Sequence, residues 1–105
     1  MPMMSSGVVK QPEIGRRVRA IERRLARDVV RIRPAITLNS TGDEAIFFRI
    51  VLSDEASREN RLQEVTKRVE AELLKAIPLD KFGLYQYYNY RSASEQALLK
   101  EPAWS

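Results

Sequence analysis

The 105-residue sequence contains no cysteine and no histidine. Without cysteine, disulfide bonds, zinc–thiolate sites and thiol nucleophiles are excluded. Without histidine, the chain lacks the commonest general base, the Ser-His and Cys-His dyads, and the commonest ligand of transition metals. We therefore expect a protein with no catalytic residues, no metal site and no cofactor.

Long hydrophobic runs and glycine-rich loops are also missing. The longest apolar run covers only residues 45–48, far below the roughly 20 residues that a membrane-spanning helix needs. With four glycines in all, no phosphate-cradling loop can be recognised. Residues 1–12 lack the apolar core of a signal peptide, and we expect them to be a mobile N-terminus. These features predict a cytoplasmic protein that does not enter a membrane.

Charge is present but unevenly distributed. The chain has a net charge of +4, yet residues 1–33 hold nine Lys or Arg against three acids, whereas residues 34–105 hold nine against eleven. Eight of the basic residues are arginines between positions 16 and 33. One basic element on an otherwise acidic body indicates an acidic or phosphate-bearing partner.

Residues 13–29 have the periodicity of an amphipathic helix. Its buried stripe would consist of apolar residues three or four positions apart, namely Ile14, Val18, Ile21, Leu25 and Val29. The opposite face would carry an arginine ridge, which we define as Arg16, Arg19, Arg23 and Arg27. Glu13 can reach Arg17 and Asp28 can reach Arg24, but no acid is spaced to pair along the ridge itself.

Residues 29–38 alternate with a period of two, which predicts a β-strand with Val30 and Ile32 on its buried face. Pro34 interrupts this strand. Because proline cannot donate a hydrogen bond to a neighbouring strand, the segment is predicted to lie at a sheet edge or to bulge there.

Two further strands are predicted downstream. Residues 44–53 follow a polar turn and carry apolar side chains on both faces, which is typical of a central strand covered on both sides. Residues 84–91 are rich in tyrosine, and aromatic residues favour strands.

A second helix is predicted to begin at residues 53–55, which suit capping and the helix dipole, and to end before Pro78. Ser92 and Glu95 form the Ser-x-x-Glu pattern of a capping box, so a short helix should follow over about 93–100. The buried stripe of the second helix would be Leu62, Val65, Val69, Leu73, Ala76 and Ile77.

The predicted order is helix, strand, strand, helix, strand, short helix. Residues 13–91 would form one α+β domain with a small three-stranded sheet and helices on one face, and residues 92–105 a short helix and C-terminal tail. This order resembles a reduced ferredoxin-like domain such as the cytoplasmic domain of cation-efflux transporters, whose metal-binding versions use His or Cys ligands. KH-type RNA-binding domains share part of the order, but their Gly-x-x-Gly loop is absent here.

The arginine ridge admits several interpretations. It can be a solvated helix face, or it can pair with Glu95 and Glu101 of the tail. It can also bind an acidic protein or the phosphates of nucleic acid, because arginine offers a planar fork to carboxylates and phosphates alike.

The four tyrosines of the third strand divide between its faces, with Tyr85 and Tyr87 on one side and Tyr88 and Tyr90 on the other. One pair should pack under the helices and the other should lie on the uncovered sheet face. An uncovered aromatic face indicates a homodimer interface; base stacking and coverage by the terminal segment are the alternatives. The candidate sheet-face interface consists of Phe47, Val51, Tyr85, Tyr87, Tyr88 and Tyr90.

The tail is predicted to be non-helical after the short helix. Leu98, Leu99 and Trp104 form its apolar part and are the candidate anchor. They can dock onto their own domain, onto a twin subunit or onto a foreign partner.

Carboxylates cluster at Asp54, Glu55 and Glu59, where helix capping explains them without catalysis. We therefore expect a non-catalytic cytoplasmic protein-interaction or assembly module, homodimeric through its sheet, which engages a protein partner through the arginine helix or the tail. The alternatives are an RNA- or DNA-binding module that uses the ridge, and a small ligand-binding regulatory domain.

Overall fold

The computed structural model describes residues 11–105, so the predicted mobile segment 1–12 lies almost entirely outside the described residues. The described part is an α+β fold with helices packed on a three-stranded sheet, as predicted. The elements in chain order are α1 (Gln11–Arg24), β1 (Val29–Leu38), β2 (Glu44–Leu52), α2 (Glu59–Ala76), α3 (Leu79–Phe82), β3 (Tyr85–Ser92), α4 (Ala93–Leu99) and a 3-10 helix (Pro102–Trp104).

The sheet has the strand order β1-β2-β3. β1 and β2 form an antiparallel hairpin, whereas β2 and β3 run parallel because α2 and α3 carry the chain back across the sheet. Gly83 ends α3 with a φ of 68°, a left-handed conformation that glycine adopts without strain. The central position of β2 and the edge position of β1 are both confirmed.

The core lies between the two long helices and one face of the sheet. β2 supplies alternate residues that are almost fully buried, and Phe48 stacks against Tyr88 of β3 with ring centroids 5.8 Å apart. The helical part of this core follows the predicted stripes at Ile14, Val18 and Ile21 of α1 and at Val65, Val69 and Leu73 of α2. Leu62 was also predicted to be buried, but it is 38% exposed.

The first helix is shorter than predicted, since α1 ends at Arg24 and the next four residues form a turn. Val29 does not continue the helix but begins β1, where a register shift between Val29 and Arg31 marks a β-bulge. The bulge places Val29 on the core face and leaves Val30 47% exposed, so the prediction that Val30 is buried was wrong.

The second helix starts later than predicted, at Glu59. Ser53 does act as a cap, but of a separate turn, because its Oγ accepts a hydrogen bond from the Ala56 amide at 3.1 Å. Arg58 then takes an extended conformation before α2 begins. The sequence pattern could not distinguish the turn that Ser53 caps from the start of α2, since both contain residues that suit a helix start.

The end of the chain follows its predicted capping. Ser92 and Glu95 form the capping box of α4, in which each side chain accepts a hydrogen bond from the other residue's amide. The tail after α4 was expected to be non-helical, but it turns into the 3-10 helix that contains Trp104.

Candidate interaction surfaces

The face of the sheet opposite the long helices carries an exposed aromatic patch, formed by Tyr85 and Tyr87 together with the half-buried Phe47. Phe47 lies beside Tyr87 in the parallel register, and their rings stack with centroids 4.8 Å apart. Tyr85 is 50% exposed and Tyr87 is 40% exposed. This arrangement follows from the alternation of side chains along β2 and β3.

Tyr88 and Tyr90 lie on the helix-covered face instead, so the six candidate interface residues do not form one surface. The Tyr90 hydroxyl donates a hydrogen bond to Glu70 of α2 at 2.8 Å. Burial raises the pKa of Tyr90 well above its ordinary value, and the Glu70 carboxylate raises it further. Burial likewise raises the pKa of Tyr88, whose hydroxyl donates to Gln86.

Val51, on the open face, is covered by the chain's own tail. Its two neighbours across the sheet are Arg31 of β1 and Arg91 of β3. Arg31 donates a hydrogen bond to the carbonyl oxygen of Trp104 at 3.1 Å, and the guanidinium of Arg91 lies 4.3 Å from the centroid of the Trp104 ring. Trp104 is thereby buried to 7% exposure over one end of the open face.

The two leucines of the predicted tail anchor do not share this role. Leu98 is 83% exposed and Leu99 is 51% exposed, so neither contributes to docking within the chain. Gln96 takes their place: it is buried, its carbonyl accepts a hydrogen bond from Arg91, and its amide donates to the carbonyl oxygen of Glu101. Because Gln96 is polar, the pattern of apolar residues in the sequence did not predict that it is buried.

The two edges of the sheet differ in how they are protected. On β1, the Ile32 amide points outward and donates to the Glu22 carboxylate of α1 at 2.7 Å. Backbone direction alternates along a strand, so Pro34, two residues on, also faces outward, where its missing N–H removes no bond to β2. On β3, no outward backbone group of residues 85–91 has a partner within the described part of the chain.

The arginine ridge is exposed, as predicted, but only Arg16, Arg19 and Arg23 lie on α1. Arg27 lies in the turn after it. None of the four makes an ion pair or a side-chain hydrogen bond with the described residues. The suggested pairing with the tail acids was wrong, because Glu101 pairs with Arg91 at 2.8 Å and Glu95 is engaged in its capping box.

The other arginines on and after α1 are structural. Arg17 forms the predicted ion pair with Glu13 at 2.7 Å and also donates to the carbonyl oxygen of Ala76 at the end of α2. The predicted pairing of Arg24 with Asp28 was wrong. Arg24 pairs with Glu72 of α2 instead. The carboxylate of Asp28 pairs with Arg61 and Arg68, both of α2.

The carboxylates at residues 54–59 do not form a common site. Asp54 accepts hydrogen bonds from both the amide and the hydroxyl of Ser94, at 3.0 and 2.6 Å, and these bonds lower its pKa. It therefore stabilises the start of α4 rather than that of α2. Within residues 11–105, no group of three or more acidic side chains is arranged to hold a metal ion.

A cavity of about 110 Å³ lies between α2, β3 and α4 and is lined in part by Leu62, Tyr90 and Glu95. Small-molecule sites usually have volumes of about 300–1,000 Å³. This cavity is thus smaller than a usual small-molecule site, but wider depressions of about 360 and 500 Å³ lie on the surface beside Arg19. In addition, none of the helices in the described range is both long and apolar enough to cross a membrane.

These surfaces define an α+β protein whose exposed features are a sheet edge, an aromatic patch and a basic ridge. Comparison with models of known families, with curated proteins and with solved structures yields no match to this chain.

Proposed function

We propose that this protein is a non-catalytic assembly module of the cytoplasm that forms a homodimer through the β3 side of its sheet. The observation that carries this proposal is the contrast between the two sheet edges. Pro34 and Glu22 close the edge at β1, whereas β3 contains no proline or lysine and its outward backbone groups lack partners within the described residues. Unprotected edges pair with other strands.

A second copy of the chain is the partner that β3 fits best. Residues 85–90 are all uncharged, and Arg91 is the one charged residue of the strand. Antiparallel pairing of two β3 strands around a two-fold axis would therefore oppose neutral side chains over most of the contact. It would join the two sheets into one of six strands.

The exposed aromatic patch adds apolar area to such a contact. Tyr85 and Tyr87 belong to β3 itself, so a two-fold axis perpendicular to the sheet beside this strand would place the patches of both copies on the same face of the joined sheet. Aromatic side chains are enriched in the centres of protein interfaces. Trp104 covers the other end of the open face, which leaves this half as the surface for contact.

Light scattering after size-exclusion chromatography tests the proposal. We expect wild-type protein to elute with twice its monomer mass of 12.1 kDa. Tyr85→Lys combined with Asn89→Lys should yield a monomer, because both exposed positions lie on β3 and the added charges of two copies would repel each other.

The matched control is Val30→Lys combined with Thr37→Lys, which adds the same charge at exposed positions of the β1 edge. This variant should remain dimeric. A wild-type protein that stays monomeric up to about 100 µM, where micromolar affinities are easily detected, would overturn the proposal. So would equal loss of the dimer in both variants.

A further inference from the structure

The eight arginines between positions 16 and 33 divide into two equal groups. Arg17, Arg24, Arg31 and Arg33 each have a partner: Arg17 and Arg24 tie α1 to α2, and Arg31 and Arg33 donate to the carbonyl oxygens of Trp104 and Ser105. The other four are the arginine ridge, which has no partner within residues 11–105. Four of the eight arginines therefore have structural partners in the fold, and the four ridge arginines remain available to bind a ligand.

No acid is available to neutralise the ridge. α1 contains two acids, and both are engaged: Glu13 pairs with Arg17, while Glu22 accepts the Ile32 amide and lies 3.6 Å from Arg33. The ten residues outside the described range contain no Asp or Glu. Like charges three or four residues apart destabilise a helix, so the fold itself gives no reason to place these arginines together.

The ridge is linear. At a rise of about 1.5 Å per residue, Arg16 and Arg23 lie about 10 Å apart along the axis of α1, with Arg19 between them. Arg27 extends the row into the following turn. A row of guanidinium groups at this spacing matches a chain of regularly repeated anions better than a single carboxylate or phosphate.

The surroundings of the ridge distinguish a nucleic acid from an acidic protein. Protein interfaces depend on large apolar or aromatic side chains at their centre. Beside these arginines lie the small residues Gly15, Ala20 and Ala26, whereas the large apolar residues Val18 and Ile21 of the same helix are buried. The exposed aromatic patch lies on the opposite face of the sheet. A phosphate backbone needs no apolar anchor, because cations alone supply its affinity.

We propose that the arginine ridge binds the phosphate backbone of a nucleic acid without reading its sequence. This interaction requires only one copy of α1 and its following turn, so it does not depend on the proposed dimer. The shared chemistry of the ligand is a phosphodiester chain, which either RNA or DNA supplies.

Fluorescence anisotropy with a labelled duplex of about 20 base pairs, made once as DNA and once as RNA, tests this proposal. For duplex DNA and four neutralised phosphates, the plot of log K against log salt should have a slope of about −3 to −4 between about 50 and 200 mM salt. Binding by either duplex with such a slope supports the proposal, and a preference for one identifies the source of the phosphates.

Two variants with equal net charge distinguish binding by the arginine ridge from general electrostatic attraction between a basic protein and the duplex. The ridge variant replaces Arg16, Arg19, Arg23 and Arg27 with Gln, and the control variant replaces Arg58, Lys67, Lys75 and Lys100 with Gln. All eight side chains are exposed, and none forms an ion pair within the described residues, so both variants should fold. We expect the ridge variant to bind at least tenfold more weakly at low salt, and the control to bind like wild type.

Three results would overturn the proposal. One is the absence of binding to both duplexes at about 50 mM salt, where cationic contacts are strong. Another is an equal loss of affinity in the two variants, which would show that net charge alone attracts the duplex. The third is tighter binding to vesicles of phosphatidylserine and phosphatidylcholine than to either duplex, which would assign the ridge to a membrane surface.

Discussion

Asp28 and Arg61 form a two-pronged ion pair, with the two guanidinium nitrogens of Arg61 at 3.0 and 3.2 Å from the two carboxylate oxygens of Asp28. Asp28 is 7% exposed and lies in the turn between α1 and β1, whereas Arg61 belongs to the first turn of α2. The carbonyl oxygen of Asp28 also accepts a hydrogen bond from the Ser53 amide after β2. One residue thus joins three parts of the fold.

The Asp28→Ala variant should be strongly destabilised, because it leaves Arg61 without its main partner in a partly buried site. We expect the Tm to fall by roughly 10 °C, on the scale usual for domains of this size. Glu64→Ala, which removes the exposed i,i+4 pair with Arg68, should shift the Tm far less. Equal shifts in a thermal melt followed by circular dichroism would contradict the importance of the Asp28 contact.

Arg16 and Arg17 are adjacent in sequence but differ in role. Arg17 binds Glu13 and the Ala76 carbonyl and lies 5.3 Å from the centroid of the Phe82 ring. We expect Arg17→Ala to lower the free energy of unfolding by about 1–2 kcal/mol. Arg16→Ala should change it by less than about 0.5 kcal/mol. Urea denaturation of the two variants measures this difference, and a similar loss in both would show that Arg16 also has a structural partner.

Docking of the tail can be followed directly because Trp104 is the only tryptophan of the chain. Its burial against Arg91 predicts blue-shifted emission and low accessibility to acrylamide. Arg91→Ala removes the cation over the ring and the bonds to Gln96 and Glu101, so the emission should shift to the red and quenching should increase. Lys100→Ala, at an exposed position of the same segment, is the control. Unchanged emission in Arg91→Ala would contradict the observed docking.

Stability should decrease in alkali through Tyr90. Its pKa is raised in the folded protein, first by burial and then by Glu70, while a tyrosine in the unfolded chain ionises near pH ~10. Because the pKa of Tyr90 is higher in the folded protein than in the unfolded chain, its protonated hydroxyl stabilises the fold fully below about pH 10. This stabilisation is lost as the pH rises toward the pKa of the folded state. Urea midpoints measured from about pH 8 to 11.5 should therefore fall more steeply above about pH 10 in wild type than in Tyr90→Phe. Identical slopes would contradict this account.

Much of the fold follows from local patterns. Period-two alternation located β1, apolar residues on both faces located β2, and aromatic content located β3. Pro34 identified the edge strand, and the Ser92–Glu95 pattern located α4. The errors occurred where one residue fits two structures. Val29 is apolar at a position that suits the helix stripe, but the β-bulge assigns it to the strand, so the end of α1 was placed five residues too late.

The candidate surfaces were less predictable because they depend on contacts between distant positions. The sequence identified the ridge arginines as lacking acids nearby, but it could not show that Arg24 reaches Glu72 or that Arg31 reaches Trp104, 73 residues away. It also could not show that Trp104 covers Val51, which removes one half of the open face from the predicted interface. The sequence showed that the ridge arginines recur with helical spacing. It did not show which of the eight arginines have partners in the fold.

Hydrogen exchange along β3 tests the central claim, dimerisation through this strand, most directly. In a single chain, every second backbone amide of β3 points away from β2 and has no partner among the described residues, so these amides should exchange quickly. In the proposed dimer, the partner strand protects them. We predict protection of consecutive amides from Tyr87 to Tyr90 in wild type at high concentration, and loss of protection at alternate amides in the Tyr85→Lys/Asn89→Lys variant. Alternating fast exchange in the wild-type protein at every concentration would contradict the claim.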